Sequence, residues 1–394
     1  MDLTLETMTI RPTGTTTPMV LLIGNYAADQ QQSMQRFSSM MLQGLTASGV
    51  PAELIRPEPW LGNFRFAGGF AAKWLGYLDK FVLFPRRLRA RIRARRPSVI
   101  HICDHSNAMY VQQAGATPVV VTCHDLLAVR GGLGEETDTP ASATGRILQS
   151  WILRSLQKAD SIACVSEATR RDLDRLIPSS KARGRVEVIP LGLSYPFRPL
   201  PSGETAARLK VVAELELDPP YVLHVGSNLR RKNREGVLRI FARAQRDWPG
   251  QLVFAGEPLS SALREQAEGL GISGRIIEVH APSGELLEAL YNAAGAFLFP
   301  SRFEGFGWPI IEAQACGCPV LSSAREPMAD VVGLGGLLRD PEDDEGFAQD
   351  LIRLADKTER ARWRGKALEN AERFTTERMI SAYKEVYRAV SSAR

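Results

Sequence analysis

The sequence predicts an α/β protein of two Rossmann-like units in tandem, each a parallel sheet with helices on both faces. Three observations lead there. At 394 residues the chain is longer than one hydrophobic core usually serves, so two domains are expected. Short apolar runs rich in β-formers alternate with helical stretches along the whole length, the pattern of parallel sheets. Pro196, Pro199, Pro201, Pro219 and Pro220 interrupt that alternation near the middle, with no strong strand among them. A boundary near Ser194 follows, giving domains 1–194 and 195–375.

Taken in order, strands are expected at 19–24, 98–103, 118–123, 161–165 and 186–190 in the first unit. The second unit should hold them at 221–226, 252–256, 275–279, 296–300 and 319–322. After the first strand, Met34, Phe37, Met41 and Leu45 recur three to four residues apart until Gly49, which marks an amphipathic helix and its stop. Residues 167–176 and 376–390 read as further helices.

With 44% hydrophobic and 24% charged residues, the composition is that of a globular protein. No apolar run approaches the roughly 18 residues that span a bilayer. Asp2 and Glu6 stand where a signal peptide carries positive charge, so a cytoplasmic protein is expected. Five cysteines without framework spacing fit a reducing compartment. Cys316 and Cys318 lack the second pair that a zinc site needs and are expected to be small buried residues. Charge is uneven: residues 1–195 carry 23 Lys and Arg against 16 Asp and Glu, and the remainder carries 26 against 28. The basic excess belongs to the first half.

In an open parallel sheet, ligands bind beyond the carboxyl ends of the strands. That rule selects Gly24 and Asn25, Asp104 and His105, His124 and Asp125, residues 226–232, Gly256 and Glu257, and residues 301–307. The most informative segment is Phe299-Pro-Ser-Arg-Phe-Glu-Gly-Phe-Gly-Trp-Pro-Ile-Ile-Glu312. Pro309 suits a helix's first turn, and Gly305, Phe306 and Gly307 bring backbone amides close to a ligand. Glu304 and Glu312 are carboxylates that accept from hydroxyls, which suits a sugar and a ribose. An anion needs cations, and Gly226-Ser-Asn-Leu-Arg-Arg-Lys-Asn233 supplies them. Arg231 and Lys232 could neutralise a diphosphate and stabilise the charge that develops as a sugar leaves, with Ser227 and Gly24 as further donor contacts.

These segments resemble retaining glycosyltransferases of the GT-B fold, in particular family 4, whose C-terminal signature is Glu, seven residues, Glu. Glu304 and Glu312 have that spacing inside a Phe-Glu-Gly-Phe-Gly-x-Pro context. Val121-Thr-Cys-His-Asp-Leu126 looks like the family's strand-end His motif, Ala159-Asp-Ser-Ile-Ala-Cys-Val-Ser166 like its last N-domain strand, and Val188-Ile-Pro-Leu-Gly192 like its interdomain entry. The resemblance implies two sheets facing a central cleft and a C-terminal helix, 376–394, that joins the first domain. It implies that Glu304 lies beside the donor sugar and Glu312 at the ribose, with Arg231 and Lys232 at the diphosphate. The amides of 305–307 would touch the sugar, and His124 would reach it across the cleft. The catalytic set is then Glu304, His124, Lys232 and Arg231, acting with retention and without a cofactor or metal on a UDP- or GDP-sugar. The acceptor would be a cell-surface saccharide or its lipid-linked precursor. One departure is Gly24-Asn-Tyr-Ala-Ala-Asp-Gln-Gln-Gln-Ser33, where many relatives have a glycine pair, so no contact transfers to Asn25 or Asp29.

Each feature also has a plainer explanation. Glu304 and Glu312 could cap a helix and favour its dipole. Arg230, Arg231 and Lys232 could be a solvated turn, and His124 could be packed against a carbonyl. Placement at strand ends favours a site for Arg231, Lys232 and His124 and leaves Arg230 even. His101, His224 and His280 are expected to be structural. Asp172-Leu-Asp174 imitates a metal-binding Asp-x-Asp, but two residues apart on a helix point to different sides.

Residues 80–96 hold eight basic residues and no acidic one, and they overlap a run with Trp60, Phe64, Phe66, Phe70, Trp74, Tyr77, Phe81 and Phe84. Residues 60–96 fit equally a core-packed helix with solvated arginines and an amphipathic surface resting on anionic lipid at the inner face of a membrane. No base-reading motif accompanies the charge, so nucleic acid is not an expected partner. Dinucleotide, P-loop, zincin and nucleophile-elbow motifs are absent. The surviving rivals to transfer are a phosphorylase or epimerase on the same scaffold and a binding protein without turnover.

Overall fold

The computed structural model describes residues 19–29, 31–61, 69–135, 137–138, 141–178, 184–218 and 220–393. Asp2, Glu6, Phe64, Phe66 and Pro219 lie outside the described residues.

Among the described residues, twelve strands form two six-stranded sheets in which every pairing is parallel. The first contains β1 (Val20–Ile23), β2 (Ala52–Ile55), β3 (Val99–Ile102), β4 (Val119–Cys123), β5 (Ser161–Cys164) and β6 (Arg185–Val188), ordered β2-β1-β3-β4-β5-β6. The second contains β7 (Val222–Gly226), β8 (Leu252–Gly256), β9 (Ile276–His280), β10 (Ala296–Phe299), β11 (Val320–Ser323) and β12 (Gly336–Arg339), ordered β12-β11-β10-β7-β8-β9. Each order reverses direction once, at β1/β3 and at β10/β7. Loops leaving such a pair diverge to opposite faces and open a crevice, the usual place for a ligand in this architecture.

The ten expected strands are present, and two more, β2 and β12, were not anticipated. Both are four-residue edge strands, half-buried throughout. The central strands β1, β3, β4 and β5 are buried at every position, as a sheet covered on both faces requires.

Eight of the helices matter below: α1 (Gln32–Ala47), α2 (Gly69–Leu78), α3 (Phe84–Arg95), α4 (Ala143–Leu156), α5 (Glu167–Leu176), α6 (Arg234–Ala244), α7 (Trp308–Ala315) and α8 (Thr376–Ser392). The periodicity of α1 buries Phe37, Met41 and Leu45 completely, each worth about 1.5–3 kcal/mol relative to exposure. No helix among the described residues is long and apolar enough to cross a membrane.

Helix α8 packs against the first sheet through a buried polar chain. The Tyr387 hydroxyl lies 2.7 Å from His101 Nδ1, His101 Nε2 lies 2.8 Å from the Thr122 hydroxyl, and that hydroxyl lies 2.7 Å from the Tyr383 hydroxyl. Burial pushes His101 down to about 3, so the ring is neutral and its two nitrogens join the sheet to α8. It is the structural histidine the sequence suggested. His224 is also buried, on the Leu298 carbonyl, whereas His280 is exposed beside Glu278.

Candidate active site

The crevice of the second sheet is built by the loops that follow β7 and β10. Asn233 ends the β7 loop in the left-handed region (φ 54°), which asparagine tolerates better than most residues. Its side chain accepts from the Gly236 amide at 3.2 Å, capping α6, and donates to the carbonyls of Pro300 and Pro341. The buried Arg234 holds the same loop from behind, donating to the Gly226 and Glu257 carbonyls and to Asn228. With both ends pinned, the turn Arg230–Lys232 presents two of its three cations to the crevice.

Those cations close on Glu304. Arg231 Nη1 donates to Oε2 at 2.6 Å and Lys232 Nζ to Oε1 at 2.7 Å. Burial works against the Glu304 charge, but Lys232 and Arg231 outweigh it and hold the carboxyl below its ordinary value. Burial lowers Lys232, with Glu304 opposing it in part, and the ammonium lies 5.1 Å from the centre of the Phe299 ring. Arg231 is raised: burial opposes its charge, and Glu304 more than compensates. Arg230 is exposed, its carbonyl accepting from Arg302, so it stands outside this cluster.

Glu312 sits one turn into α7, where Gly307 (φ 108°) starts the helix in a conformation reserved for glycine. It is 2% exposed. The Tyr291 hydroxyl donates to Oε2 at 3.1 Å, while Oε1 has no hydrogen-bond partner. The nearest cation to it is Arg36 of α1, at 3.6 Å across from the first sheet, too far for a hydrogen bond. Burial raises the Glu312 carboxyl, with Arg36 and Tyr291 opposing. A buried carboxylate oxygen left without a hydrogen bond is costly, and two vicinal hydroxyls of a ribose would satisfy it.

The 303–307 loop rests on the strand ends of the first sheet. Ser166, which caps α5, donates to the Gly305 carbonyl at 2.9 Å, and Arg130 lies over the Phe303 ring. A Cβ at Gly305 would collide with the His124 carbonyl, so this approach requires glycine. Phe306 turns its ring onto Phe374 and into the core, leaving its backbone as the part a ligand could meet. Ser227 is half-buried just beyond β7. Gly24 is packed under Leu54 and Ser38, its amide extending the ladder to Ile55.

In the first sheet, His124 donates through Nε2 to the Cys103 carbonyl at 2.9 Å, as a packed histidine would. Its Nδ1 is buried without a partner. Burial lowers its pKa, which leaves a neutral ring with one free acceptor. Beside it the β1/β3 crevice holds a buried polar net. Asn25 donates to Asp104 at 2.5 Å and accepts from Asn107 at 3.1 Å, and His105 Nδ1 lies 3.1 Å from Asp104. Burial opposes the Asp104 charge, yet His105, His124 and the Ser106 hydroxyl hold the carboxyl well below the usual range.

The structure thus gathers Glu304, Arg231, Lys232, Gly305 and His124 into one region and places Glu312 against α1 of the opposite half. Sequence reasoning missed Arg36, Tyr291, Ser166 and Arg234. Of these, only Ser166, before a helical run, carries a readable capping signal. Asp172 and Asp174 are paired with arginines, Asp172 with Arg130 and Arg175 and Asp174 with Arg170. Cys316 and Cys318 are free and buried.

Comparison with known proteins gives two family matches: residues 34–192 to the glycosyl transferase 4-like domain and residues 207–370 to glycosyl transferases group 1. D-inositol 3-phosphate glycosyltransferase of Mycolicibacterium smegmatis is 30% identical over 292 residues, which are 71% of this chain and 64% of that protein. The chain therefore spans less than two thirds of that relative. Alpha-maltose-1-phosphate synthase of the same organism is 31% identical over 320 residues, 73% of this chain and 79% of that protein. Among solved structures, sucrose-phosphate synthase from Thermosynechococcus elongatus superposes with a TM-score of 0.72 at 22% identity, covering 96% of this chain and 100% of that one. Two parallel sheets across a cleft are the GT-B arrangement.

Proposed function

Because the chain belongs to the glycosyl transferases group 1 family, we propose that it moves a hexosyl unit from a UDP- or GDP-sugar to a hydroxyl of a saccharide or lipid-linked saccharide. The observation that carries this is the pair of buried carboxylates eight residues apart, one gripped by Arg231 and Lys232 and the other holding an oxygen that makes no hydrogen bond and has only Arg36 within ion-pair distance, at 3.6 Å. In this proposal the ribose hydroxyls donate to Glu312, and the diphosphate takes over part of the hold that Glu304 has on the two cations. The bond between the anomeric carbon and the phosphate oxygen breaks, and the acceptor oxygen bonds to that carbon on the same face. The acceptor's proton passes to the departing phosphate. Arg231 and Lys232 stabilise the charge left on the diphosphate, so no metal ion is called on. His124 Nδ1 accepts from a sugar hydroxyl. Five buried free cysteines fit a reducing, cytoplasmic setting, at the inner face of a membrane when the acceptor is lipid-borne.

Release of nucleoside diphosphate that requires an acceptor, with the sugar recovered on that acceptor, tests the assignment. Release by phosphate alone, or conversion of the sugar with no release, would replace transfer by phosphorolysis or epimerisation. Glu312 offers a separate check on donor binding. Glu312→Gln exchanges a charged acceptor for a neutral one, expected to cost about 1 kcal/mol, or roughly five-fold in Kd. Since burial raises the Glu312 carboxyl, wild-type affinity should weaken as pH falls through that raised value and the variant should stay flat. Titration calorimetry over mildly acidic to neutral pH would show this, and equal affinities with equal pH dependence would remove Glu312 from the donor site.

A further inference from the structure

The basic, aromatic stretch of the first half forms a surface whose second half comes from a helix far along the chain. Trp74, Leu78 and Val82 follow one another four residues apart on α2 and the π-helical turn Asp79–Leu83, and all three are exposed. On α4, Ile147 and Trp151 repeat the spacing, Ile147 with 72% of its surface in solvent. A ladder of rings joins the two: Trp74 to Tyr77 at 5.8 Å, Tyr77 to Phe81 at 5.7 Å, and Phe81 to Trp151 at 5.6 Å. The core-packed alternative holds for Phe81, which packs partly buried against the core of the first half, and further on, where Phe84 and Leu88 are buried. A ridge of this kind is unusual on a protein with nothing to place against it.

Charge identifies the occupant. Lys80, Arg87, Arg91 and Arg95 are paired with Asp29, Glu58 and Glu53. Arg86, Arg93, Arg146 and Arg154 are exposed and form no ion pair among the described residues. Arg86 and Arg93 belong to α3, which continues from the π-helical turn, and Arg146 and Arg154 to α4, beside Ile147 and Trp151. A second copy would set arginine against arginine, and a nucleic acid would leave the ridge in water. An anionic bilayer satisfies both, with indole and aliphatic groups at the acyl boundary and guanidinium groups at lipid phosphates.

We propose that the faces of α2, the π-helical turn and α4 seat the protein on an anionic lipid bilayer. The placement is useful because the surface is tied to the β1/β3 crevice. Asp79, buried behind the ridge, accepts from the Tyr26 hydroxyl at 2.9 Å, and Lys80 pairs with Asp29 of the β1 loop at 2.8 Å. A lipid-borne acceptor would enter beside Asn25 and Asp104. That last step rests on the acceptor proposed above, whereas the docking itself does not.

Co-sedimentation of the whole protein, without donor or acceptor, separates the two. Vesicles of phosphatidylcholine alone and with phosphatidylglycerol added serve as probes, at low and high salt. Binding is expected to need phosphatidylglycerol, to fall with salt, and to weaken on the order of ten-fold or more in Arg86→Glu/Arg93→Glu. Trp74→Ser/Trp151→Ser should weaken it several-fold. Ile147→Glu, at a site mostly in solvent, tests the ridge without disturbing packing. Binding equal on both vesicles, indifferent to salt, or unchanged in Ile147→Glu and the arginine pair would overturn the proposal. So would a wild-type dimer in sedimentation velocity that these substitutions dissociate. Transfer to a soluble acceptor should be unaffected throughout.

Discussion

Lys232→Ala is expected to lower kcat by about 10²–10³, on the order of 2.7–4 kcal/mol of transition-state stabilisation. The ammonium is held ready before any donor arrives: Glu304 fixes it at 2.7 Å, and Asn233 and Arg234 fix the loop that carries it. Its side chain is 12% exposed, so charge appearing on a leaving diphosphate meets it with little screening by water. Because that charge grows only as the glycosidic bond breaks, the loss should fall mainly on kcat rather than on KM. Steady-state release of nucleoside diphosphate measures it. Arg230→Ala is the control, since Arg230 is exposed and outside the cluster, and it should turn over like the wild type. Wild-type kcat in Lys232→Ala would remove the residue from catalysis.

Glu304→Gln should destabilise the free protein by about 3–5 kcal/mol, because removing one partner of a buried ion pair strands the other charge. The lower end is expected, since Arg231 keeps 24% of its side chain in water. The pH dependence follows from the lowered Glu304 carboxyl. Its stabilisation is fully present above the unfolded carboxylate value of about 4.3 and is lost as pH falls through the lower folded value. The gap between wild type and variant should therefore close in acid. It should also narrow with saturating donor at neutral pH, since a bound diphosphate would return an anion to Arg231 and Lys232. Urea unfolding with and without nucleotide reads both effects. A gap insensitive to nucleotide would mean that the cations serve Glu304 alone.

Much of this arrangement was legible because its signals are local. Strand-end placement brought forward Glu304, Arg231, Lys232 and His124, and the apolar spacing of α1 follows from a single segment. What escaped depends on distant partners. The edge strands β2 and β12 are half-buried, so their apolar content gave no continuous run. Arg36 meets Glu312 only because α1 faces α7 across the cleft, and nothing in its neighbours announces that. Tyr291 reads as a core aromatic until its hydroxyl is seen on Glu312. The half of the apolar ridge on α4 was missed because Ile147 and Trp151 lie some fifty residues or more beyond the arginine-rich stretch. Phe306 was grouped with its glycine neighbours, and only packing reveals that its ring belongs to the core.

A crystal structure with UDP or GDP bound bears most directly on the convergence of two carboxylates and two cations around one molecule. The diphosphate oxygens should lie within hydrogen-bond distance of Arg231 and Lys232, and the ribose hydroxyls on Glu312 Oε1, the oxygen that makes no hydrogen bond. A nucleotide seated elsewhere, with Arg231 and Lys232 still closed on Glu304 and Glu312 untouched, would contradict the assignment.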